Sequence, residues 1–308
     1  PPDTRRPSIL FILSDDHSLQ TIGAYNTRLS EFCRQQQVTP NIDRLAAEGA
    51  LFENSFCASS LCSPSRASIL TGMFPHVHGV KRLSSPIAAG VWTFPQSMRD
   101  AGYETALIGK WHLGNNPAEM GLDYFQYTEG QGGAYWNPDF VGPDGKKQYL
   151  GHITHVTTDL GIQWLRQRDS DRPFMLMLHH KAPHRPWMPS SQRYHWLADV
   201  DVPEPETLFD DYTGRASPAS GQRMRMSDFK MGHDLKVFAP DEFPSPYSRM
   251  TRGQRAQWDA YYRPRNEAFA RANLTGDDLF RWQYQQYMKD YLRCVKDVDD
   301  SVGRMLEF

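Results

Sequence analysis

Cysteine is scarce in this chain. The 308 residues hold four, Cys33, Cys57, Cys62 and Cys294, too few and too scattered for a disulfide framework. Cys57 and Cys62 with His76 and His78 suggest a zinc site, but the cysteine spacing is wide and a proline-led helix intervenes, which argues against one. No apolar run is long enough to span a bilayer. The opening Pro1-Pro2-Asp3-Thr4-Arg5-Arg6 shows no signal-peptide pattern and reads as a processed terminus or an arbitrary boundary. Charge excess is missing too. Lys+Arg 34 against Asp+Glu 36 gives −2, so no global field points to nucleic acid or a membrane surface, and any anion recognition must be local. Internal repeats, coiled-coil heptads and low-complexity tracts are also lacking, which excludes solenoids and fibrous classes.

What is present is length and aromatic content. A chain of 308 residues can bury a large core in one or two domains. Its 8 tryptophans and 11 histidines suit a polar cleft with stacking platforms, as in carbohydrate enzymes, although each ring taken singly fits a surface or core position equally well.

Ser8 to Leu13 is a continuous apolar run of strand length, suited to a strand buried on both faces. Asp15 and Asp16 follow it. In open α/β sheets ligands bind beyond the carboxyl ends of the strands, and adjacent carboxylates repel unless a cation neutralises them. The pair reads as a hard-cation site with oxygen ligands, the alternative being a solvated turn. Thr39 to Gly49 reads as a helix capped by Thr39, entered at Pro40 and ended by Gly49, followed by an extended Leu51–Phe56. A helix from Phe94 to Asp100 leads into a strand from Tyr103 to Ile108, which ends at Gly109-Lys110-Trp111-His112. Extended backbone there puts Lys110 and His112 on one face; a rim lysine and a satisfied histidine are the plainer alternative. A helix from His155 to Gln167 precedes a strand from Phe174 to Leu178, whose end carries His179-His180-Lys181-Ala182-Pro183-His184-Arg185-Pro186-Trp187. Residues 115–151 and 189–250 read as loop-rich insertions. Thr251 to Arg271 and Asp277 to Phe308 read as helices, with Asp299-Asp300-Ser301 on a solvated face.

The densest signal is Cys62-Ser63-Pro64-Ser65-Arg66, followed by Leu70-Thr71-Gly72. Pro64 suits a first helical position and Gly72 a helix end, so Cys62 is expected just ahead of a helix. Free N–H groups and the helix dipole favour a phosphate, sulfate or thiolate there, and Arg66 adds a cationic fork. An ordinary buried cysteine fits the spacing equally well.

Cys-x-Pro-Ser-Arg with the trailing Leu-Thr-Gly resembles the signature of the type I, formylglycine-dependent sulfatases of the alkaline phosphatase superfamily. Thr39-Pro40-Asn41-Ile42-Asp43-Arg44-Leu45 and Gly109-Lys110-Trp111-His112-Leu113-Gly114 resemble further motifs of that family, and the matches follow its order. The resemblance implies an α/β fold, a mixed, mostly parallel sheet with helices on both faces. Residues 1–308 would be the N-terminal part of the catalytic domain. It implies Ca²⁺, with Mg²⁺ as the alternative, held by Asp15, Asp16 and an oxidised Cys62. Catalysis would fall to formylglycine made from Cys62 and to Arg66, Lys110, His112 and His184, with Arg185 and Trp187 lining the substrate pocket. The implied partners are a sulfated carbohydrate, with the segment from Tyr287 to Asp300 resembling sulfatases of 6-O-sulfated N-acetylglucosamine, and a formylglycine-generating or anaerobic sulfatase-maturating enzyme. The implied location is periplasmic, secreted or lysosomal.

One departure stands out. The later Asp-x-Gly strand and lysine that complete the family's calcium site have no match in this sequence, so a C-terminal subdomain is expected in a continuation or a second chain, or the protein is a degenerate relative. A phosphonate or phosphate monoester hydrolase of the same superfamily and an inactive glycan-binding relative remain the alternative functions.

Overall fold

A computed structural model describes residues 6–237 and 245–308. Most of the Pro1 to Arg6 start and positions 238–244 of the second expected insertion lie outside the described residues. The elements run β1 (Ile9–Leu13), α1 (Ser30–Gln35), α2 (Pro40–Glu48), α3 (Cys62–Thr71), α4 (Pro75–His78), α5 (Phe94–Asp100), β2 (Glu104–Lys110), β3 (Tyr124–Thr128), β4 (Asp139–Gly142), β5 (Gly145–Gln148), α6 (Ile153–Gln167), β6 (Phe174–His179), α7 (Ser217–Gly221), α8 (Ser245–Arg249), α9 (Arg252–Ala272) and α10 (Gly276–Glu307). They form two compact units. The first comprises Pro1–Asp16, Ala50–Ala182 and Asp300–Phe308, and the second His17–Gly49 and Pro183–Asp299.

The first unit is built on a six-stranded sheet of order β1-β6-β2-β3-β4-β5. The first four strands in that order are mutually parallel, and β4 and β5 form an antiparallel hairpin at one edge. Parallel strands are covered on both faces and read as unbroken apolar runs, as the Ala106-Leu107-Ile108 and Met175-Leu176-Met177-Leu178 runs of β2 and β6 do, all of them fully buried. β1 departs from the expectation of burial on both faces. It pairs only with β6 among the described residues, and its five positions are half-buried or exposed. Leu107, Met175 and Met177 pack with Ala67 and Leu70 of α3 and with Trp111 and Leu113 beyond β2. Each such side chain removed from water contributes about 1.5–3 kcal/mol.

Register fixes where the chemistry emerges. Leu13 lies opposite His179, and His179 opposite Gly109, so β1, β6 and β2 end on one level. Residues 115–151 carry β3, β4 and β5 where the sequence shows no period. Leu51 to Phe56, expected to be extended, forms no strand and exposes Phe52 and Phe56.

In the second unit Thr39 does not cap α2 with its side chain. Its hydroxyl accepts from Gly23 N at 2.9 Å and donates to Asp43 at 3.1 Å. The cap comes from Asp299, which accepts from Asn41 N at 2.9 Å and Ile42 N at 3.0 Å. Asp299 and Ser301 are therefore buried, where the sequence suggested a solvated face, because α10 turns this side to protein rather than to water. Thr251 caps α9 through a reciprocal pair with Gln254.

Candidate active site

Cys62 is the first residue of α3 rather than the residue before it, and Pro64 is the third. Proline is tolerated there because the first N–H groups of a helix have no intrahelical partner. Gly72 closes the helix in the left-handed region at φ 68°. Ser63 ties this end of the helix to the exit of β2. Its hydroxyl donates to the His112 carbonyl at 2.5 Å and accepts from Ser84 N at 2.9 Å.

The ion pairs around Asp15 organise the site. Asp15 follows β1, is 7% exposed, and takes the Lys110 ammonium on one carboxylate oxygen and Arg66 at 3.4 Å on the other. The expected neutralising charge is thus supplied in part by the chain itself. Lys110, at the end of β2 and fully buried, also approaches Cys62 Sγ to 3.6 Å. Arg66, one turn into α3, donates to the Lys110 carbonyl at 2.7 Å and meets His179 Nδ1 at 3.1 Å. The same ring nitrogen lies 3.2 Å from the Lys110 carbonyl, so His179, Arg66 and the end of β2 meet at one point. Asp16 is exposed, with its backbone in the left-handed region at φ 59°.

Several expectations change in detail. The backbone is not extended through His112, which has φ 58°; its ring is buried, so the argument that Lys110 and His112 share a strand face does not apply. Burial and Asp15 raise the Cys62 thiol above its ordinary range, with Lys110 opposing, so the helix end does not yield a thiolate. His184, Arg185 and Trp187 belong to the second unit. There His184 Nδ1 meets the Arg185 carbonyl at 2.7 Å, and Arg185 grips Asp234 through two bonds of 2.6 and 2.5 Å. Trp187 does not line an open surface. It is 8% exposed and packs edge-on to Tyr287 at 4.7 Å, because Lys236 holds the Pro186 and Trp187 carbonyls at 2.8 Å.

Sequence reasoning singled out no role for His179, Lys181 or Ser63. Burial, then the adjacent Arg66 charge, pulls His179 down to about 3, so it is neutral at working pH. Lys181 falls to about 8 through burial and the Lys110 charge. All three positions lie in motifs or at strand ends already marked as chemical, and that was the available signal.

Two buried cations, a carboxylate and a cysteine are thus gathered at the level where three parallel strands end. The sulfatase family matches residues 7–307, and the chain belongs to that family. It is 39% identical to the N-acetylglucosamine-6-O-sulfatase of Bacteroides thetaiotaomicron, across 99% of this chain and 55% of that protein. It is 31% identical to the N-acetylgalactosamine-6-sulfatase of Canis lupus familiaris, across 61% of this chain and 42% of the relative. A solved structure of a protein in complex with its substrate D-glucosamine-2-N,6-O-disulfate superposes with a TM-score of 0.91 at 37% identity, covering 98% of this chain and 62% of the other. The chain spans about half the length of the curated relatives it matches. Among the described residues, no helix is long and apolar enough to cross a membrane.

Proposed function

We propose that this protein hydrolyses sulfate esters of sugars, with 6-O-sulfated N-acetylglucosamine as substrate, and that residues 1–308 are the N-terminal part of its catalytic domain. The observation that carries the proposal is the convergence of Asp15, Arg66 and Lys110 on Cys62 at the start of α3, in a chain 39% identical to an N-acetylglucosamine-6-O-sulfatase.

The Cys62-Ser63-Pro64-Ser65-Arg66 motif in a chain of the sulfatase family supports conversion of Cys62 to formylglycine. Position 62 would then carry two hydroxyls once the aldehyde is hydrated, one available to attack sulfur as the alcohol leaves and the other to be deprotonated so that sulfate is released and the aldehyde restored. Asp15 and Asp16 are hard oxygen donors that suit Ca²⁺, with Mg²⁺ as the alternative, and an ion held there would withdraw charge from the sulfate oxygens. Ca²⁺ takes about six to eight oxygens, so these residues are part of a larger donor set. Lys110 and Arg66 are fixed by Asp15 and by main-chain carbonyls before substrate arrives, which lets them stabilise developing sulfuryl charge without reorganising. His184 or Lys110 would protonate the leaving alcohol, His112 would take a proton from position 62, and Arg185 would contact the sugar. The implied partner is a formylglycine-generating or anaerobic sulfatase-maturating enzyme, and the implied location is periplasmic, secreted or lysosomal.

Co-expression with a maturating enzyme, peptide mass spectrometry and a panel of sulfated mono- and disaccharides test this reading. The expected result is an aldehyde at position 62, release of sulfate from N-acetylglucosamine-6-sulfate, and loss of release in Cys62→Ala. An unmodified Cys62, or no release from any sugar, overturns it. Faster turnover of an aryl phosphate than of the matched aryl sulfate assigns the site to phosphorus esters instead.

A further inference from the structure

One buried cation of the first unit has no part in the scheme above. Lys181 is 6% exposed, its ammonium donates to the Gln131 carbonyl at 2.9 Å, and the face of the Tyr135 ring lies 5.5 Å away. Burying an ammonium is costly unless it is paired. Here its hydrogen-bond partner is a loop carbonyl and not a carboxylate.

The loop it grips is Gln131-Gly132-Gly133, with the two glycines at φ 94° and 74°. A Cβ on Gly132 would stand 2.8 Å from Lys110 Cδ and 3.3 Å from Cγ of both Lys110 and Lys181. The Gly132 backbone therefore lies directly against the stems of both lysines, an approach that glycine permits and a side chain at this φ does not. Beyond that point of pressure the Lys110 ammonium meets Asp15 and comes within 3.6 Å of Cys62 Sγ.

We propose that Lys181 is a positioning residue for Lys110: by fixing the Gln131 carbonyl it keeps Gly132 against the Lys110 stem, and so holds the Lys110 ammonium between Asp15 and position 62. The kinetic consequence rests on the sulfatase reading; the geometric one does not.

Two variants separate these. Lys181→Met keeps the apolar stem and removes the donor, while Gly132→Ala pushes the loop off Lys110 with Lys181 intact. In the matured protein each lowers kcat by about tenfold to a hundredfold, as a small misplacement of a reacting group does, with KM moving less than about threefold. The double variant loses no more than the worse single, because both act through one contact. Independently of activity, brief acetylation of the folded protein followed by peptide mass spectrometry labels Lys110 at least about fivefold faster in either variant. Should Lys181→Met fail to fold, Lys181→Leu, which also removes the donor to the Gln131 carbonyl, takes its place beside Gly132→Ala. Parent-like labelling of Lys110 in the folded variants overturns the proposal. Faster labelling in the variants of a parent that releases no sulfate supports the positioning role and overturns the functional reading instead.

Discussion

Arg66 touches a carboxylate, a carbonyl and an imidazole at once, and a residue so placed is hard to replace. Arg66→Lys keeps the charge but loses the fork, so that it cannot reach the Asp15 oxygen, the Lys110 carbonyl and the His179 ring together. The expected cost is about 1–3 kcal/mol of stability, read from the urea midpoint, together with a loss of turnover. The paired histidines at the end of β6 make a pH prediction. Burial, followed by neighbouring charge, holds His179 and His180 down to about 3, below the ordinary value of 6.5. The unfolded chain therefore binds more protons than the folded one between those values, and stability falls as pH drops through that window. Each ring contributes about 2 kcal/mol of loss by roughly pH 5. Urea midpoints at pH 7 and pH 5 measure the slope, and His180→Gln should flatten it by about half. A slope unchanged in that variant would count against neutral burial of this ring. At this scale Cys62, Arg66, Lys110 and Asp15 were legible because they sit in dense motifs. The involvement of Lys181 was not, because its role comes from a glycine loop fifty residues away and no local spacing announces it.

Among the elements, those with strong punctuation matched their sequence: α5, α6, α9 and α10, and the apolar cores of β2 and β6. The hairpin of β4 and β5 did not stand out, since β5 is Gly-Lys-Lys-Gln and wholly exposed, with no apolar face to give a period. Lysines on such an edge discourage pairing with another chain. Its turn, Gly142-Pro143-Asp144-Gly145, was the readable mark. The cap of α2 was mislocated for a different reason. Thr39 has the right residue type at the right place, but Asp299, distant in sequence, brings a full negative charge to the free N–H groups of the first turn. Asp299→Ala should cost about 1–2 kcal/mol in chemical denaturation, and Thr39→Val much less at the cap itself. Equal costs would return the cap to Thr39.

For the molecule as a whole, the sequence supported the α/β class and the family, and both agree with the sheet order and the matched relatives. The two-unit division was beyond reach, because residues 17–49 and 183–299 join across a long stretch of chain. If Asp15 and Asp16 hold part of a Ca²⁺ site, calcium stabilises the folded state through linkage. At about a hundred times its dissociation constant the gain is about 2.7 kcal/mol, seen as a higher thermal midpoint that EGTA reverses and Asp16→Ala diminishes.

The level ends of β1, β6 and β2 carry a consequence for how such a site can change. Asp15, Lys110 and His179 are delivered by backbone rungs, Leu13 against His179 against Gly109, so the platform is indifferent to which side chains it bears but not to how many residues reach it. A single-residue insertion or deletion in any of these strands turns the following side chains to the opposite face. In a saturation library scored for soluble protein and sulfate release, conservative substitutions within Ile9–Leu13 should therefore survive where one-residue length changes do not. New specificities on this scaffold would then arise by respelling positions, with the count of residues along each strand held constant.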